Sequence, residues 1–214
     1  LITPTDFAYQ QTKNIMQGKA SIQSEFLPLA KFINESFNVR TINILYDRTE
    51  NGNHARFNIC FETESEKQQF NSTDGSFSFD RLKQNRIAEK YRAITGSAEP
   101  VWVFFSAFEP IAKTEANESI SSSKIIQLKK ELNHPDLWEI SRLFAYTTFF
   151  VYTDEQLKEY SKSSVRKIWA DRYFELLEPH DEFGYFNRET FSILMDSKEN
   201  LDKNYQGNWY YYYK

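Results

Sequence analysis

The segment Glu178-Pro179-His180-Asp181-Glu182 packs four residues with oxygen or nitrogen ligands into one short stretch, the most chemically suggestive run in the chain. A zinc or manganese centre needs at least three such ligands converging on a point, oriented by a further layer of hydrogen bonds. Adjacent residues rarely aim at one centre, and no second His or Cys lies nearby in sequence. A solvated loop after a helix is therefore favoured, and neither a metal nor a cofactor is assigned. Cys60 is a nucleophile only with a base beside it. Arg56 would at best lower its pKa, and none of His54, His134 and His180 can be paired with it from sequence, so a half-buried structural thiol is expected. Lys158, Lys162 and Arg166 recur every fourth residue and would track phosphates on a continuous helix. Glu155, Glu159 and Asp171 interleave with them and Ser161, Ser163 and Ser164 interrupt the run, which favours a solvated face. The chain has no glycine-rich phosphate loop, no nucleophile elbow and no paired-histidine metal motif.

The tripeptide His134-Pro135-Asp136 follows a lysine-rich helix and resembles the signature of the J-domain of Hsp70 co-chaperones. The resemblance covers the tripeptide alone, since Leu137-Trp138-Glu139 stands where a short basic loop is expected. An ordinary turn explains the same residues: Asn133 closes one helix, Pro135 takes a first-turn position in the next segment, and Asp136 favours that end.

With 214 residues the chain has room for one good-sized domain or two small ones, and it needs no disulfide or metal staple to build a core. Aromatic residues carry that core, with 19 Phe, 13 Tyr and 4 Trp. A net charge of −4 gives no global footprint for nucleic acid, so none is expected as a partner. A single cysteine fits a reducing, cytoplasmic compartment. No apolar run approaches the roughly 20 residues of a membrane helix, so no membrane association is expected. The chain begins at Leu1 rather than Met, a start compatible with removal of an upstream signal.

The elements that must position any site are easier to read. Asn51-Gly52 is the pair best suited to a two-residue hairpin turn, because both central residues there need positive φ. It sets Tyr46 opposite Phe57, Ile44 opposite Ile59 and Ile42 opposite Phe61 on one face. On the other face it sets Asp47 opposite Arg56, Leu45 opposite Asn58, Asn43 opposite Cys60 and Thr41 opposite Glu62. Thr3-Pro4 opens a helix ending at Gly18, and Ile22, Phe26, Leu29, Ile33 and Phe37 mark a second that Pro28 kinks or restarts. Thr63-Glu64-Ser65-Glu66 and Thr153-Asp154-Glu155-Gln156 have the capping-box form, and Asp196-Ser197-Lys198-Glu199 is a third candidate. Asp80 opens a helix stopped at Gly96. Val101 to Phe108 reads as a central, doubly covered strand. A long amphipathic helix carries Val165, Ile168, Trp169, Tyr173, Leu176 and Leu177, and Thr190 to Met195 reads as a strand.

The expected fold is α+β, with antiparallel sheet and packed helices. Two similar α-β-β-α-β halves are suggested by Ile87-Ala88-Glu89-Lys90-Tyr91 echoing Trp169-Ala170-Asp171-Arg172-Tyr173. Residues 1–112 form one lobe, 113–124 a polar serine-rich linker and 125–214 a second lobe, unless the lobes merge. The leading function is a non-enzymatic protein-binding module of immunity or adaptor type; the alternative is a hydrolase with dispersed acidic, metal-binding residues. Residues 209–213 (WYYYY) read as a strand whose Trp209, Tyr211 and Tyr213 face the core. Tyr210 and Tyr212 then stand on the other, partly exposed face as candidate partner-binding residues.

Overall fold

The hairpin β1 (Thr41–Arg48) and β2 (Ala55–Phe61) pairs antiparallel, with Tyr46 opposite Phe57, Ile44 opposite Ile59, Leu45 opposite Asn58 and Asp47 opposite Arg56. The Arg56 Nε donates to Asp47 across the strands at 2.7 Å. Near its start the register departs from strict alternation. A bulge between Thr41 and Asn43 sets Thr41 opposite Phe61 rather than Glu62, and removes Ile42 from the expected pairing. Ile42 is still buried, because a bulge inserts one residue without turning the rest of the strand over. The computed structural model describes residues 2–48, 55–74 and 78–214, so the Asn51-Gly52 turn lies outside the described residues.

The described residues fall into two units, Leu1–Ile111 and Ala112–Lys214. In the first, β3 (Val101–Ala107) joins β2 in parallel to give the order β1-β2-β3. One face of this sheet presents Ile44, Phe57, Ile59, Phe61, Val103 and Phe105 to the helices α2 (Leu27–Phe37) and α4 (Arg81–Thr95). Pro28 sits in the first turn of α2, where its missing N–H costs nothing, so it starts that helix after a short 3-10 turn at Ser24–Phe26. The opposite face is covered at one end by α1 (Phe7–Met16). Tyr9 stacks on Phe108 at 5.1 Å, and the Asn43 amide donates to Thr12. Among the described residues β3 is an edge strand, not a central one, and Trp102 and Phe104 are exposed on it. Between β2 and β3 the short α3 (Glu64–Gln68) starts at the Thr63 capping box, and α4 runs from the Asp80 cap to Gly96, whose φ of 70° ends it.

The second unit repeats this plan. The antiparallel pair β4 (Leu137–Leu143) and β5 (Tyr146–Val151) carries a bulge at the same place, between Leu137 and Glu139, and β6 (Leu194–Ser197) adds in parallel. A capping box at Thr153 opens α7 (Asp154–Tyr160), and α8 (Ser164–Leu177) packs on the sheet with α6 (Ser122–Leu132). Asn38 and Asn133 close α2 and α6 in the left-handed conformation, each a few residues before the first strand of its sheet. The fold is thus α+β: antiparallel hairpins, each extended by a parallel third strand that a helical connection returns to the sheet.

Further expectations are corrected. Residues 113–124 are not a linker: they are the latter part of α5 (Glu109–Ser119) and the start of α6, and Ala116, Asn117 and Ile120 are buried. Their polar composition misleads because Asn117 is itself a core residue. Its side-chain NH2 donates to the Phe144 and Tyr146 carbonyls at 2.8 and 3.3 Å, while Tyr173 and Thr147 donate to its oxygen. That amide holds the two-residue turn between β4 and β5, where Phe144 has a φ of 52°. The six apolar positions read for the long amphipathic helix all lie on α8, and the Thr153 capping box opens a separate helix, α7, parted from it at Ser161–Ser163. The strand near Thr190 begins later, at Leu194, and Ser197 rather than Asp196 caps the helix after it, α9 (Lys198–Tyr205).

Phe57 is fully buried and meets Phe26 and Tyr91 edge-on at 5.5 and 4.6 Å. Phe57→Ala is expected to cost roughly 3–5 kcal/mol in a urea titration. Asn117→Ala removes the acceptor of two buried hydroxyls and the donor to two carbonyls and should cost roughly 2–3 kcal/mol. Asn117→Asp should not rescue it, since a carboxylate cannot donate to those carbonyls; unchanged midpoints would refute the role given to this amide.

Candidate functional site

The sequence places five aromatic residues at 209–213, and the structure winds them into a helix, α10 (Trp209–Tyr212), rather than a strand. The reason lies just upstream. Gln206 and Gly207 both take positive φ, ending α9 and turning the chain; an added Cβ at Gly207 would meet Asp202 at 3.3 Å. Asn208 then caps the new helix, its side chain accepting from the Tyr210 amide at 2.9 Å. A left-handed glycine followed by an asparagine cap is a helix-boundary signal, and here it overrides the strand preference of Tyr and Trp.

Helical spacing redistributes the five rings. Trp209, Tyr212 and Tyr213, at i, i+3 and i+4, turn onto the outer face of the second unit's sheet. Trp209 stacks on Trp138 at 5.8 Å and meets the fully buried Phe150 edge-on at 5.1 Å. Lys198 also lies over the Trp138 ring, 5.4 Å from its centre. The Tyr212 ring packs against Phe150 and Tyr205, and its hydroxyl donates to Asp196 at 2.6 Å. The Tyr213 hydroxyl donates to Ser141 at 2.6 Å. Burial, then the Asp196 carboxylate, push the Tyr212 phenol above the ordinary tyrosine range, and burial does the same to Tyr213.

Tyr210 and Tyr211 face the other way. They are 68% and 50% exposed, with ring centres 5.7 Å apart. Of the two candidates read from the sequence, Tyr210 is thus exposed while Tyr212 is half-buried and anchors the helix. Tyr211, assigned to the core side of a strand, takes the exposed place beside Tyr210. The alternation of a strand hid this, and the Gly207-Asn208 pair was the signal that could have shown it.

The remaining sequence candidates are not drawn together. At 178–182 the chain makes a short 3-10 turn over Glu178–His180; Asp181 accepts from the Tyr185 and Phe186 amides at 3.1 and 2.7 Å, and Glu178 faces Arg188 at 3.9 Å. Among the described residues no three His, Cys, Asp or Glu side chains are grouped to hold a metal ion. Cys60 is buried, donates weakly to the Phe61 carbonyl at 3.6 Å, and is pushed by burial up to about 12, where the nucleophilic thiolate is scarce. His134 packs edge-on against Trp169 and Tyr160 in the turn before β4, while Asp136 accepts from the Tyr160 hydroxyl at 2.6 Å. The Lys158, Lys162 and Arg166 stripe is broken by the gap between α7 and α8, and Arg166 donates to the Ile193 carbonyl. His54 lies outside the described residues. Among those residues no helix is long and apolar enough to cross a membrane.

These two groups of rings should respond differently to truncation. Tyr212→Ala is expected to lower stability by about 2 kcal/mol, less than a fully buried aromatic costs, whereas Tyr210→Ala and Tyr211→Ala should each stay within about 0.5 kcal/mol. Folding raises the Tyr212 pKa, so its contribution is whole below the ordinary value of about 10 and is lost as pH climbs beyond it. Tyr212→Phe should therefore flatten the alkaline limb of a stability profile, and an unchanged limb would remove Tyr212 from that role.

No protein-family model matches the chain, and no match was found among curated proteins or solved structures.

Proposed function

We propose that this chain is a non-enzymatic protein-binding module, of the kind that serves as an adaptor or immunity protein. The reading rests on one observation: Tyr210 and Tyr211 stand exposed side by side on a helix pinned from beneath by Trp209, Tyr212 and Tyr213. Tyrosine lends a partner a large ring and a hydroxyl with few rotatable bonds to freeze, and it is enriched among the residues that carry interface energy. An anchored helix keeps the pair in place before binding, which lowers the ordering cost. Tyr210 would be the contact and Tyr212 its support. The buried, unreactive Cys60 suits the reducing, cytoplasmic setting proposed with this role.

Immobilised wild-type protein and a Tyr210→Ser, Tyr211→Ser variant should be exposed to the same native extract and their retained proteins compared by quantitative mass spectrometry. The proposal expects a protein kept by the wild type and lost by the variant, with equal unfolding midpoints for both. Identical retention by the two would sink it.

A further inference from the structure

The first unit carries a second surface, of different chemistry from the tyrosine pair. Over 15 residues α4 bears Arg81, Lys83, Arg86, Lys90 and Arg92 against the single carboxylate of Glu89. The chain as a whole has acid in excess, with a net charge of −4. Elsewhere several arginines find carboxylates: Arg48 lies 2.7 Å from Glu99, Arg56 is bound to Asp47, and Arg172 lies 2.8 Å from Glu131, while Arg142 and Arg166 are held by backbone carbonyls. Lys83 is held by the Gln69 carbonyl and faces Asp80 at 3.9 Å. Among the described residues Arg81, Arg86, Lys90 and Arg92 have no carboxylate within ion-pairing distance.

Two of these cations are positioned by rings instead. The Arg86 guanidinium lies 5.5 and 5.4 Å from the centres of Phe32 and Phe37, and the Lys90 ammonium 5.3 Å from Phe32. Both rings are half-buried on α2. Each ring attracts the cation above it without neutralising its charge. On the same outward side, one turn before Arg86, Leu82 is 81% exposed. A large aliphatic side chain so placed contributes nothing to the core.

We infer that the outward face of α4 docks an acidic segment of another protein, whose carboxylates pair with Arg86, Lys90 and the flanking Arg81 and Arg92 while an apolar side chain covers Leu82. Charge complementarity identifies the partner. Leu82 and Glu89 identify it as protein: an apolar anchor suits a peptide, and a carboxylate among the cations opposes a continuous phosphate backbone. This surface is independent of the tyrosine pair and stands or falls without it.

The probe is a fluorescein-labelled peptide of Glu and Leu residues, titrated with the full chain by anisotropy at low and raised salt. Alongside it runs a labelled single-stranded oligonucleotide of equal charge. Arg86→Glu with Lys90→Glu should weaken peptide binding by about tenfold or more, a shift of about 1.4 kcal/mol, and raised salt should weaken the wild type likewise. Lys130→Glu with Lys167→Glu makes the same charge change on the second unit and should leave binding near the wild-type level. If the reversed α4 variant fails to fold, Arg86→Gln with Lys90→Gln keeps the stems on their rings and should still weaken binding several-fold. The inference is overturned by no binding in the wild type, by equal losses in the α4 and control variants, or by tighter binding of the oligonucleotide.

Discussion

Each unit depends on bringing a third strand back parallel to the second strand of a hairpin, which sets two helix starts side by side. The second strand leads into a capping-box helix and the third into a further helix, so unpaired N–H groups crowd one end of the sheet. Both units meet this constraint with the same device. The carboxylate of Glu109, at the head of α5, accepts from the Glu64 amide at 3.1 Å; that of Glu199, in α9, accepts from the Asp154 amide at 3.0 Å. The ladder also continues past the strands, with the Glu109 amide donating to Glu62 and the Glu199 amide to Tyr152. A negative group shared between two helix N-termini is favoured by both dipoles. Hydrogen bonds from Lys203 and from the Asp154 amide hold Glu199 below the ordinary glutamate range. The same bulge, capping box and left-handed asparagine recur at matching places. That recurrence makes the two units versions of one design.

What differs is how each unit covers the second face of its sheet, and the candidate surfaces follow from that difference. In the first unit α1 covers one end with Tyr9 and Thr12, leaving α2 and α4 to enclose the other face and α4 to carry its cations outward. In the second unit the cover is α9 and α10, where Trp209, Tyr212 and Tyr213 pack inward on Phe150, Asp196 and Ser141. A four-residue helix has no stability of its own, so α10 exists because those three rings dock. The exposure of Tyr210 and Tyr211 is a consequence of that docking.

Much of the fold was legible because the deciding interactions are local. Register in the first hairpin follows from alternation between Tyr46 and Asp47 on one strand and Phe57 and Arg56 on the other, and it holds until the bulge at Ile42. Both capping boxes follow from spacing alone. Long-range interactions were not legible. The polar run at 113–124 concealed Asn117, whose partners lie 27 to 56 residues away. The apolar strand at 101–107 looked central, yet Trp102 lies on an edge strand and is 48% exposed. At the chain end, strand preference and a glycine–asparagine helix start competed, and docking on Phe150 decided between them. The candidate site was therefore half legible: Tyr210 stands where the sequence reading put it, exposed, while the strand it was read from is a helix. The basic face of α4 was in plain view, but its lack of carboxylate partners is a fact of the fold.

The central claim is that one carboxylate at the head of the following helix completes each parallel junction. The first amide of a helix ordinarily exchanges fast, having no partner within the helix. Amide hydrogen exchange followed by NMR should find the Glu64 and Asp154 amides protected in the wild-type protein. Glu109→Ala should release only the first and Glu199→Ala only the second, with the amides of the paired strands still protected. Fast exchange at both positions in the wild type, or protection that survives both substitutions, would contradict the account.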